Sequence, residues 1–145
     1  MTNPTTDTDL AGITVPGGYF EIAEYESAIL RDTVYATASP VPHPIAAFIG
    51  AQRGMGVSVE EFFAALHTSI AEGPVLAETT IELTDDLRAD HRYRVAGAVA
   101  DVARKTGAAF GRFDLIRWVF TLSDDSGVVA TVTNVYAVRR GEPGA

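Results

Sequence analysis

The sequence predicts an α+β domain in which a curved antiparallel sheet wraps around a long central helix. Two observations carry that expectation. Residues 42–56, reading P-H-P-I-A-A-F-I-G-A-Q-R-G-M-G, contain one formally charged side chain, Arg53, and look like a helix apolar nearly all round, the pattern of a buried helix. Residues 74–139 then read as alternating strands joined by short turns. A chain of 145 residues suits one domain. Its expected boundaries are residues 13–140, between a polar, disordered N-terminus (1–12) and a flexible tail (141–145).

Each element has its own signal. Gly17 and Gly18 mark a turn before a short strand over 19–22. From Glu24, the positions Tyr25, Ala28, Ile29, Val34, Tyr35 and Ala36 keep a helical period to about Ala38, where Pro40, Pro42 and Pro44 stop it. Pro44 suits the first turn of the next helix, because its missing N–H would be unpaired there anyway. On that helix Ile45, Phe48, Ile49 and Gln52 share one face. Ala46, Ala47 and Ala51 keep the other side thin, so that a sheet can approach closely, and Gly54 and Gly56 end it. Ser58 and Glu61 have capping-box spacing ahead of Phe62, Ala65 and Leu66. Residues 75–84 alternate as a half-buried strand. Residues 93–104 form the next, with a hairpin turn at Lys105, Thr106 and Gly107. Residues 108–122 follow, with Ile116, Trp118, Phe120 and Leu122 facing one way; after a turn at 123–127, residues 128–138 complete the sheet.

Composition narrows the function. The net charge of −8 argues against nucleic acid or an anionic membrane as partner, since both need clustered Lys and Arg. A local basic spot would still suffice for a phosphorylated carrier. With no cysteine, disulfides, thiolate metal sites and a cysteine nucleophile are excluded. The three histidines lack metal-ligand spacing, so neither a metal nor another cofactor is expected. No apolar run is long enough to span a bilayer, and the first eight residues lack the features of a signal peptide, so the expected location is cytoplasmic.

The run I-E-L-T-D-D-L-R-A-D-H-R-Y-R-V-A-G-A-V-A-D-V, the hairpin at R-K-T-G and the segment D-D-S-G-V-V-A-T-V-T-N together resemble the sheet half of MaoC-like hotdog proteins, notably the N-terminal domain type of hydroxyacyl dehydratases. Where that family has a P-L-R-A-G-D turn, this chain has Asp90 and His91 in place of Gly-Asp. The resemblance covers about half the chain. It implies a hotdog fold, an acyl-CoA or acyl-carrier-protein substrate, and a homodimer or a heterodimer with a related hotdog subunit. The family's catalytic signature resembles G-D-x-N-P-x-H, an acid/base pair placed before a helix whose N–H groups polarise the thioester carbonyl. Here Ser39-Pro40-Val41-Pro42-His43-Pro44 follows the lead-in directly, with no carboxylate between Asp32 and Glu60. The catalytic loop is missing.

His43 is therefore the remaining catalytic candidate, at a helix N-terminus that favours a neutral imidazole and can bind an oxyanion; the alternative is a capping or interface histidine. The resemblance also implies substrate contacts from Ser39, Ile45, Phe48 and Gln52. Three functions remain open: a hydratase or dehydratase-type lyase with a divergent site, a catalytically silent partner subunit, and a thioesterase using Glu60 or Glu61. His67 and His91 read as structural or solvated, and Arg53 as a helix cap. Glu78 and Glu82 read as solvated, and Asp114 and Arg117 as a cross-strand ion pair or dimer contact. Asn134 is unusual in mid-strand, with no role assigned.

Overall fold

The computed structural model describes residues 10–141. Their framework is one antiparallel sheet of five strands in the order β1-β3-β4-β5-β2: β1 (Gly18–Phe20), β2 (Val75–Leu83), β3 (Tyr93–Gly107), β4 (Gly111–Asp124) and β5 (Gly127–Arg139). The period-2 patterns explain which face is inside. On β4, Ile116, Trp118, Phe120 and Leu122 are all fully buried, as the alternation requires. Register shifts at Val99/Asp101 in β3 and Leu76/Glu78 in β2 mark bulges, which bend and twist strands so that the sheet curves. The β3–β4 hairpin runs further than its glycine suggested. Lys105, Thr106 and Gly107 are still paired, with Phe113, Arg112 and Gly111, and the turn falls at residues 108–110.

Among the described residues there are three α-helices, α1 (Glu24–Thr33), α2 (Ile45–Arg53) and α3 (Val59–Ala65), and α2 lies against the sheet. The central one, α2, is shorter than the apolar segment that announced it, and its packing side is the small one. Ala46, Ala47, Gly50 and Ala51 are buried, while Ile45, Phe48, Ile49 and Gln52 are half-buried. Close approach demands small residues here. A Cβ added at Gly50 would lie 2.5 Å from the Phe20 ring. The capping box of α3 forms as expected: Glu61 N–H donates to Ser58 Oγ at 3.1 Å, and Ser58 N–H donates to Glu61 Oε1 at 2.9 Å.

Helix α1 departs from expectation. It stops at Thr33 rather than near Ala38, and Tyr35 turns left-handed at φ 59°. Tertiary hydrogen bonds explain the stop: Arg31 Nε donates to Val41 O at 2.6 Å and its Nη1 to Thr37 O at 3.0 Å, folding residues 37–41 back on the helix. Its apolar stripe also faces outward. Tyr25, Ile29 and Tyr35 are exposed, and Ser27 is the buried residue.

At the other end, Leu10 is fully buried and Gly12 N–H bonds Val99 O, so the packed domain takes in residues before 13. The rest of the stretch read as disordered, residues 1–9, and residues 142–145 of the expected tail lie outside the described residues. The turn that carried the family resemblance has a physical match. Asp90 sits at φ 56°, in the left-handed region where the family pattern has glycine. Aspartate tolerates that region better than most residues, and Asp90 N–H donates to Ile22 O at 2.7 Å.

Candidate functional site

The loop of residues 39–44 leads into α2, and its polar groups are committed to one another. Ser39 Oγ accepts Val41 N–H at 3.1 Å. His43 Nδ1 accepts Ile45 N–H at 3.0 Å. A neutral imidazole whose Nδ1 accepts carries its proton on Nε2, so in this arrangement the ring offers a donor rather than an acceptor at Nε2. Ala46 N–H donates to His43 O and Ala47 N–H to Pro44 O, both at 2.9 Å. Pro44 has no N–H to offer. The first turn of α2, the expected oxyanion site, is thus closed by its own loop. Among the described residues no hydrogen bond or ion pair joins His43 to a carboxylate. The His43 ring caps the Ile45 N–H of α2.

The other expected contacts spread along α2. Ile45 and Phe48 are half-buried, with Phe48 packed on the core. Gln52 Nε2 donates to Tyr136 Oη at 3.3 Å. Burial pushes the Tyr136 phenol above its ordinary value, partly offset by polar contacts with Gln52 and Asn134. Arg53 is exposed and pairs with Glu26 at 3.6 Å. Ser39 is removed from this row, in a cleft of about 320 Å³ with Ala28, Arg31 and Asp32.

Asn134 is fully buried on β5. Register sets it between Thr79 on β2 and Trp118 on β4, and Thr79 Oγ1 donates to its Oδ1 at 3.0 Å. Asn134 Nδ2 and Trp118 Nε1, both buried, complete no hydrogen bond among the described residues. The residues for thioester hydrolysis are placed elsewhere. Glu60 and Glu61 are exposed on the first turn of α3, and the hydrogen bond from Ser58 N–H, then that with its side chain, hold Glu61 below the usual carboxylate range.

Three charged groups of the described residues lie away from α2. Asp114, fully buried on β4, receives Arg104 through Nε (2.7 Å) and Nη2 (3.0 Å), and Arg140 through Nε (2.9 Å). Arg140 also donates to Leu66 O and His67 O at 2.7 Å, tying down the end of α3. Arg117 pairs across strands with Asp101 at 3.2 Å. Both are the cross-strand ion pairs that the sequence suggested. The sequence did not reveal His91, whose Nε2 lies 2.9 Å from Asp124 Oδ2. Arg88 Nη2 lies 3.0 and 3.2 Å from its two ring nitrogens. The group opens on a 540 Å³ cleft also lined by Asp85, Arg92 and Ser126. Thirty-three residues separate this His from its Asp, and only the return of β4 brings them together. No metal-ligating cluster of three or more His, Asp or Glu occurs among the described residues, and none of their helices is long and apolar enough to cross a membrane.

No protein-family model and no curated protein matches the sequence. Solved structures do match in fold. The C-terminally truncated HadBC (3R-hydroxyacyl-ACP dehydratase) complex from Mycobacterium tuberculosis aligns with a TM-score of 0.69 at 14% identity, over 90% of this chain and 98% of that one. The ChsH1-ChsH2 complex from the same organism aligns at 0.66 and 11%, over 97% and 94%. A MaoC-like dehydratase from Phytophthora capsici aligns at 0.65 and 11%, over 98% of this chain and 51% of that one. Likeness at these identities shows the fold: a single hotdog domain of the kind seen in MaoC-like dehydratases.

Proposed function

We propose that this chain is the acyl-binding, catalytically incomplete subunit of a heteromeric hydratase or dehydratase-type lyase that acts on acyl thioesters of coenzyme A or a carrier protein. One observation carries the reading. The first turn of α2, where such chemistry needs a base and an oxyanion donor, is satisfied by its own loop: Ile45 N–H on His43 Nδ1, Ala46 N–H on His43 O, Ala47 N–H on Pro44 O. A self-contained lyase would require His43 to release Ile45 before it could accept a proton. A partner carrying the G-D-x-N-P-x-H motif supplies the missing acid and base, while this chain supplies the apolar wall of α2 and sheet.

The edge of the sheet supports a partner. Among the described residues strand β2 bonds only β5, with Val75 and Leu76 exposed, and an unpaired apolar edge is a liability unless covered. Two of the solved structures with this fold are complexes. The decisive experiment purifies the tagged chain from its own host and follows loss of enoyl absorbance with a trans-2-enoyl thioester. The chain alone gives no turnover above background. The complex with a motif-bearing hotdog subunit is active and changes less than about threefold in His43→Ala, which removes at most one neutral hydrogen bond. Turnover by the chain alone that disappears in His43→Ala would overturn the reading in favour of a self-contained lyase.

A further inference from the structure

We propose that Trp118 Nε1 and Asn134 Nδ2 form a recognition site for an acceptor oxygen, keto or hydroxyl, on the distal part of the bound acyl chain. The inference rests on the acyl-binding reading above and names the substrate class within it. Both side chains are fully buried; Trp118 Nε1 has no hydrogen-bond partner among the described residues, and Asn134 Nδ2 completes no hydrogen bond there, with the Tyr136 hydroxyl as its polar neighbour. Buried donors are nearly always satisfied, because leaving one unmade forfeits its hydration with no return. Two such donors are cross-strand neighbours here.

The neighbours of the Trp118 ring are apolar. The Phe62 ring lies 4.8 Å from that of Trp118, and Phe120 stacks on it at 5.6 Å. Phenylalanine at 118 would fill the ring cluster with no donor to satisfy, and leucine at 134 would cost the hydrogen bond from Thr79. Thr79 engages Asn134 Oδ1, which leaves Nδ2 as the free end of the amide. Tyr136 is two residues along the same strand and the same face, and its hydroxyl meets Gln52. Gln52 lies seven residues beyond Ile45, about 10 Å along a helix. A thioester held by the partner's catalytic groups alongside the start of α2 would therefore place the far end of a medium-length chain, not its carbonyl, near this polar row.

Trp118 is the only tryptophan of the chain, so its emission reports the site directly. The test compares decanoyl-pantetheine with a decanoyl-pantetheine that bears a keto group near the distal end. Wild type is expected to bind the keto ligand about tenfold tighter, the size of one well-made hydrogen bond, with a red shift of Trp118 emission. Asn134→Leu is expected to bring the two ligands to equal affinity while still binding decanoyl-pantetheine. Should that variant fail to fold, Trp118→Phe read by calorimetry makes the same comparison. Equal affinities in wild type overturn the site and leave the acyl-binding reading standing. Turning of the Asn134 amide onto Trp118 itself, or a resident water, gives that same result. Binding of neither ligand overturns the acyl-binding reading and the site with it.

Discussion

Strand β4 carries a carboxylate near each end, and the two are held differently. Asp114 is fully buried between Arg104 and Arg140; burial alone would raise its carboxyl, but the hydrogen bonds and charges of the two guanidinium groups hold it below the usual range. Asp124 is partly exposed and is held by Ser126 Oγ at 2.6 Å, Ser126 N–H at 2.9 Å and His91 at 2.9 Å. The first joins β3, β4, the segment just after β5 and the end of α3; the second joins two turns at the rim of a cleft. A carboxylate's consequence thus follows its burial and the elements its partners connect. His43, at the site where chemistry was expected, is bonded to no carboxylate among the described residues.

The sharpest way to break this contrast is to remove the buried member. Asp114→Ala leaves Arg104 and Arg140 without their shared acceptor in a half-buried setting, which costs about 3–5 kcal/mol. A urea unfolding series is expected to show that loss as a lower midpoint. A cost below about 1 kcal/mol would mean that the guanidinium groups find water as readily as Asp114. A smaller effect is expected at His43. His43→Ala uncaps Ile45 N–H and costs about 1 kcal/mol, whereas His43→Asn restores most of it through its side-chain oxygen. Equal losses in both variants would remove the capping role.

Much of the fold was legible in the residues, and the reasons are local. Alternation on β4 and β5, the Ser58–Glu61 cap and the thin face of Ala46, Ala47 and Ala51 each depend on neighbours within a few positions. The misjudged end of α1 depends on Arg31 reaching Thr37 and Val41, while the apolar period of Val34 and Tyr35 ran on with no glycine or proline until Pro40. The longer β3–β4 hairpin is similar: Gly107 suggested a turn, but pairing with Gly111 carries the ladder past it. His43 was visible as the one titratable side chain before α2. Which of its nitrogens is occupied follows from the path of a six-residue loop, and no pattern encodes that. The Trp118–Asn134–Thr79 row and the His91–Asp124 pair needed strand register, which joins residues far apart in the chain.

The smallest expected effect belongs to Asp124, and pH resolves it where stability alone would not. Hydrogen bonds from Ser126 Oγ, then His91, then Ser126 N–H hold its carboxyl down to about 2, against an ordinary value of 3.8. A folded-state value below the unfolded one means that the unfolded chain takes up the proton first as acid is added. The carboxylate's contribution is therefore fully present above the ordinary value and is lost as pH falls through that window toward 2. Asp124→Asn never carries the charge. Its deficit in Tm relative to wild type is expected to be constant near neutrality, to shrink below about pH 4 and to vanish near pH 2. Ser126→Ala, which removes the largest contribution and keeps His91, is expected to give a partial copy of that curve. A deficit that stays constant across the window would mean that the turn's shape, not its charge, holds the β4–β5 end together. Asp124 would then be a structural tie of the same kind as Asp114, merely nearer to solvent.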